Sequence, residues 1–104
     1  MLDILVYIFI LLIILFAFGT AAYAGLRAAP WLPVFKKDID RILRLASVKD
    51  HELVFDLGSG DGRVIVALAN NSQAQIVGYE ISFLLYLWSK LKIAMLGLGR
   101  RVEI

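Results

Sequence analysis

Cysteine is absent from the chain, which removes disulfide frameworks, cysteine-ligated metals and thiol nucleophiles together. Histidine occurs once, and His51 lies in the polar run Lys49-Asp50-His51-Glu52, the composition of a solvated loop. One imidazole so placed leaves no Ser/His/Asp set for a hydrolase, and the acids form no group with metal-ligand spacing. Proline occurs twice, at Pro30 and Pro33. The net charge is only +2, too little to argue for a nucleic-acid partner. With 104 residues there is room for one domain at most.

Apolar side chains are in excess. They make up 61% of the residues, where about half is usual in a soluble domain. The surplus sits at the N-terminus, where residues 4–26 carry no charge. At about 1.5 Å per residue, such a helix crosses a hydrocarbon core of about 30 Å. Tyr7 and Tyr23 fall near its ends, where amphipathic rings prefer to lie. The rival reading is a cleaved signal peptide with Ala22-Tyr23-Ala24 as its small-residue site. Against it stand the acidic start Met-Leu-Asp and an apolar run longer than the usual 7–15 residues. Only Asp3 precedes the run, whereas Arg27, Lys36, Lys37, Arg41 and Arg44 follow it closely. That bias puts the N-terminus outside and the remainder on the cytoplasmic side.

A connector comes next. Ala28-Ala29-Pro30-Trp31-Leu32-Pro33 stops the first helix, and Trp31 is expected at the membrane interface. From Phe35 to Ala46, apolar residues at 35, 39, 42, 43 and 46 keep helical spacing, with Lys36, Lys37, Asp40, Arg41 and Arg44 on the other face. This predicts a helix packed on a sheet domain, its basic side in solvent or near anionic lipid.

The chain is organised around Leu53-Val54-Phe55-Asp56-Leu57-Gly58-Ser59-Gly60-Asp61-Gly62-Arg63. Leu53 to Phe55 predict a strand buried on both faces. Glycines at alternate positions let the backbone turn and approach a ligand, and the run from Arg63 to Ala69 predicts a helix whose N-terminus favours an anionic group. A dinucleotide fingerprint would place its third glycine at position 63, where Arg63 stands. About 20 residues further on, a second strand, Ala74 to Tyr79, ends in Glu80, placed to accept hydrogen bonds from ribose hydroxyls. Asp56, at the first strand's tip, is placed to face a cationic amino group. A ligand with an amine, a ribose and a purine suits these parts better than a dinucleotide does.

Asp56-Leu57-Gly58-Ser59-Gly60-Asp61-Gly62-Arg63 followed by Glu80 resembles the first two motifs of class I S-adenosylmethionine-dependent methyltransferases. The likeness is nearest to the small membrane-anchored lysine methyltransferases, whose mitochondrial members modify the ATP synthase c subunit and the adenine nucleotide carrier. It covers roughly Pro33 to Ile104 and the apolar segment in front. The resemblance implies S-adenosylmethionine as cofactor, its methionine part wrapped by the loop of Asp56, Gly58, Ser59, Gly60, Asp61 and Gly62. It implies the ribose on Glu80 and the adenine beside Ile81. It implies an α/β, Rossmann-like sheet of seven strands in the order 3-2-1-4-5-7-6. The cytoplasm, where the cofactor is made, is also where the charge bias puts this part of the chain.

After Glu80, Ser82 is a suitable N-cap and Gly97 a suitable stop for a helix that is apolar nearly all round from Phe83 to Trp88. Its excess of apolar surface is expected to be covered by further parts of the domain. The alternative is that Tyr86 and Trp88 share a greasy face toward a bilayer or an embedded substrate. Arg100 to Ile104 look like the start of a third strand, so the chain is expected to be the N-terminal piece of a longer protein. The divisions are then residues 1–26 as membrane anchor, 27–34 as connector and 35–104 as the first part of a methyltransferase domain. For the whole protein the expectation is methyl transfer to a protein lysine at or near a membrane, without metal or nucleic acid; the chain alone is expected to be inactive. The alternatives are a membrane-anchored nucleotide or dinucleotide binder and a non-catalytic interaction half-domain.

Overall fold

Helix α1 (Leu2–Arg27) is the long apolar run itself. Its 26 residues extend about 39 Å, enough to cross a membrane by length and composition. The Thr20 hydroxyl in its second half is satisfied locally by donating to the Ala17 carbonyl at 2.9 Å. At the C-terminal end the Arg27 guanidinium lies 5.8 Å from the centre of the Tyr23 ring. The helix ends at Ala28, whose backbone is extended, two residues before Pro30. The computed structural model describes the whole chain, Met1–Ile104, as two units, Met1–Pro30 and Trp31–Ile104.

The second unit alternates helix and strand: α2 (Lys36–Ala46), β1 (Leu53–Leu57), α3 (Arg63–Asn71), β2 (Gln75–Tyr79), α4 (Phe83–Met95) and β3 (Val102–Glu103). The three strands are parallel in the order β1-β2-β3, with Leu53 opposite Gln75 and Ile76 opposite Val102. Parallel strands need a crossover, and α3 and α4 supply the two. This is the α/β class expected, with the sheet order of the first three strands.

The core lies on one face of that sheet. Ile65, Leu68 and Ala69 of α3, Ile93 of α4, Ile76 of β2 and Val102 of β3 form its buried cluster, with Leu43 of α2 and Val54 of β1 packed against it. The other face carries Leu53, Phe55, Leu57 and Tyr79, all exposed. The expectation that β1 is buried on both faces is therefore corrected. Its side chains alternate, because every helix of this unit that contributes to the core packs on the same side. Phe55 and Tyr79 stack on each other there, ring centres 6.4 Å apart.

Local chemistry explains the joins. Arg101 donates to the carbonyls of Ala69, Ser72 and Ala74, tying the end of α3 and the turn after it to the start of β3. Helix α2 begins one residue later than expected. Phe35 stands outside it as an exposed N-cap, and the half-buried face is Ile39, Ile42 and Leu43. Ser82 occupies the N-cap position of α4, but its hydroxyl makes no cap bond. Gly97 stops the helix in a left-handed conformation, φ 69°.

Candidate cofactor site

The site is the turn between β1 and α3 together with the tip of β2. Gly58, Gly60 and Gly62 all adopt positive φ, 83°, 58° and 79°, where a side chain would be strained. The turn is seated on β2 through Tyr79, whose carbonyl accepts from the Gly58 and Ser59 N–H groups at 2.8 and 2.9 Å. From the far side α4 holds the turn by its carbonyls: the buried Ser89 hydroxyl donates to Gly60 O and the Lys92 ammonium to Asp61 O, each at 2.8 Å. Glu80 completes the arrangement. One carboxylate oxygen accepts from the Gly60 N–H and the other from the Ser82 N–H, both at 2.7 Å. The acid is thus pinned across the glycine turn and the start of α4, and each oxygen retains a lone pair for a further donor.

The expected site residues divide into two groups. Asp56, Gly58, Gly60 and Glu80 come together around the turn. Nothing stands within 4 Å of where a Cβ on Gly58 would lie, so the backbone there is open to a ligand. The Asp56 carboxyl is pushed above its ordinary range by burial first and by the nearby Glu80 charge second. A cation beside it would favour the charged carboxylate and so oppose both effects. Ile81 is exposed next to Glu80.

Ser59, Asp61 and Gly62 are tied into the scaffold beneath. The Ser59 hydroxyl is buried without a partner and lies about where a Cβ on Gly78 would meet it, at 3.0 Å. Asp61 is buried, and its carboxylate takes a bidentate pair of bonds from Arg63, 3.0 Å from Nε and 2.8 Å from Nη2. Those bonds hold the Asp61 carboxyl below its usual range, with the Lys92 charge adding to them. Gly62 turns the chain into α3 and sits against Ser89.

Sequence reasoning missed four contributors. Gly78 has no room for a side chain, because the Ile65 methyl already fills the place of its Cβ. Ser89 and Lys92 of α4 grip the turn, and a serine inside an apolar helical run was the available signal. The fourth is Trp31. Expected at the membrane interface, it has its indole on the turn, with Nε1 and Cδ1 2.8 and 2.9 Å from where a Cβ on Gly60 would be. Three residues on, the Val34 carbonyl accepts from Arg63 Nη1 at 3.0 Å. Beside the turn, Phe55, Val77, Gly78, Tyr79, Glu80, Tyr86, Glu103 and Ile104 line an open cavity of about 400 Å³, within the range of small-ligand sites.

A parallel β-α-β-α-β unit with an acid, a glycine turn and a second acid at adjacent strand tips has the fold of the class I S-adenosylmethionine-dependent methyltransferases. Solved structures agree. An RNA methyltransferase from Salinibacter ruber, crystallised with S-adenosyl-L-homocysteine, matches 69% of this chain at 36% identity and a TM-score of 0.66, over 47% of its own length. A methyltransferase from Geobacter sulfurreducens, crystallised with the same compound, matches 69% of the chain at 26% identity and a TM-score of 0.61, over 29% of its own length. Among curated proteins, a protein-lysine N-methyltransferase of Saccharolobus islandicus (strain REY15A) is 39% identical over 54 residues, 51% of this chain and 34% of the relative. The chain thus spans less than half the length of each of these relatives. No family model matches it.

The arrangement fits the cofactor that those structures imply. Gly58 leaves the turn open, Glu80 is pinned with lone pairs free for further donors, and Asp56 is a half-buried acid at the neighbouring strand tip.

Proposed function

We propose that the chain is the cofactor-binding part of an S-adenosylmethionine-dependent methyltransferase whose acceptor is a protein lysine amine at or near a membrane. The observation that carries it is Glu80, fixed by two backbone N–H groups across an open glycine turn, with Asp56 at the neighbouring strand tip. Glu80 accepts the ribose hydroxyls, Asp56 faces the amino group of the methionine part, and Ile81 borders the adenine. S-adenosylmethionine supplies an electrophilic methyl group on a sulfonium, so no covalent intermediate on the protein is required. What the protein must add is orientation, a dry site and an acceptor amine in its deprotonated form, held in line with the methyl.

The lysine acceptor is supported by the archaeal relative's activity, and the membrane setting by α1 with its positive flank. RNA, the acceptor class named for the Salinibacter relative, is the second reading; the net charge of +2 speaks against it. With only three strands present, this chain by itself is expected not to turn over.

Calorimetry with S-adenosyl-L-homocysteine tests the cofactor assignment. Glu80→Ala should weaken binding by about 1–3 kcal/mol, the range for hydrogen bonds to a charged partner. Glu80→Gln, which keeps an acceptor for the Gly60 N–H, should fall between the two. Tighter binding of NADH than of S-adenosyl-L-homocysteine would sink the assignment in favour of a dinucleotide site. Equal binding by wild type and Glu80→Ala would remove Glu80 from it.

A further inference from the structure

Helix α4 presents two faces, one packed against the turn and core and one exposed. Ser89 and Ile93 point inward, to the glycine turn and the core. Leu84, Leu87, Trp88, Leu91 and Met95 are exposed, between 39% and 65%, and so is Phe83 at the first turn. At 3.6 residues per turn these six fall within one continuous arc of about 140° that runs the length of the helix. Lys90 borders the arc on one side. Lys92 borders it on the other, its ammonium turned to Asp61 and 5.7 Å from the Trp88 ring. No acidic residue occurs from Phe83 to Met95. Tyr86 lies outside the arc, in the cavity beside Glu80, so the alternative in which Tyr86 and Trp88 share one greasy face is corrected: residues two apart on a helix point in different directions.

Strands added to the sheet would pair at the free edges of β1 and β3, and helices would cover its bare face, where Leu53, Phe55 and Leu57 stand. The α4 arc faces away from the sheet, opposite the side that holds Ile93 against Ile76 and Val102. We infer that this arc docks on the surface of a phospholipid bilayer, with Trp88 at headgroup depth. An apolar stripe carrying Phe, Leu and Trp, edged by lysine and free of acids, is the composition of an interfacial helix. A membrane-spanning α1 in the same chain would keep the lipid surface within reach. The inference goes beyond the cofactor reading and rests on the membrane tether in it.

The test is tryptophan quenching with the full chain in vesicles of phosphatidylcholine and phosphatidylglycerol brominated high on the acyl chains. The chain has two tryptophans, so Trp31→Phe leaves Trp88 as the only reporter, and Trp88→Phe gives the same signal by difference. Trp88 emission should shift to the blue and fall about twofold against unbrominated lipid. Leu87→Glu with Leu91→Glu should restore it while leaving the circular dichroism unchanged. A chain that floats with the vesicles but whose Trp88 is quenched only by aqueous acrylamide overturns the docking and leaves the tether standing. A chain that does not float overturns both. Shielding of Trp88 in a cross-linked dimer, with no lipid quenching, assigns the arc to a second copy instead and also overturns it.

Discussion

Gly78 shows how much a single missing Cβ can carry. It lies in β2 between the buried Ile65 side chain and the Ser59 hydroxyl, so the strand tip and the glycine turn approach each other only because position 78 is bare. Gly78→Ala should destabilise the fold by about 1–3 kcal/mol through overpacking, read as a lower midpoint in urea. An unchanged midpoint would mean that Ile65 has somewhere else to go. Asp56 makes the opposite kind of contribution. Its carboxyl is raised in the folded state, so the stability it provides is present below its unfolded pKa and is lost as pH rises through the folded one. Asp56→Asn should therefore unfold at a higher temperature than wild type at neutral pH, yet bind S-adenosyl-L-homocysteine more weakly. Wild-type affinity should rise as pH climbs through the raised Asp56 pKa, because only the carboxylate attracts an ammonium. A variant that loses stability and keeps its affinity would show that Asp56 is structural.

At the scale of elements, the glycine turn is shaped by the connector before it and by α4 after it, not by its own residues alone. Ser89 illustrates this. It is fully buried, 29 residues from Gly60 in sequence, and its hydroxyl satisfies the Gly60 carbonyl. Ser89→Ala leaves that carbonyl unpaired and should cost about 1–3 kcal/mol of stability. The loss should exceed that of a substitution such as Lys90→Ala on the exposed side, measured in parallel. Asp61 acts in the same frame, with sign reversed relative to Asp56. Its carboxyl is lowered on folding by Arg63 and Lys92, so its contribution is present above the unfolded pKa and lost as pH falls through the folded one. Through Arg63 the same acid is linked to Val34, so the connector and the turn are parts of one hydrogen-bonded structure.

For the sheet as a whole, only one face is covered, and β1 and β3 are both edge strands. Strand β2 is hydrogen-bonded to both neighbours, while β1 has a free edge and a bare apolar face. Hydrogen exchange should therefore find the β2 amides slowest and the outward amides of β1 fast. Uniform protection along β1 would reveal another strand paired there. The apolar N-terminal helix has its own test. An intact Met1 on membrane-extracted protein fits an uncleaved span, whereas a new N-terminus just after Ala24 would make the segment a signal peptide.

Much of this was legible in the chain before any coordinates. A long uncharged run, two prolines, and an acid with alternating glycines followed by a second acid depend on local spacing, which sequence displays directly. From them came α1, its end, the β1–turn–α3 unit and the pairing of Asp56 with Glu80. What local spacing does not carry is which surfaces meet. That β1 is covered on one face, that Asp61 belongs to Arg63 and Lys92, and that Trp31 lies on Gly60 all depend on contacts between residues far apart in the chain. The apolar character of α4 was plain in its composition. Only packing separated the Ser89–Ile93 side, which serves the turn and core, from the arc left outside, because a helix shows its partners by direction and not by order.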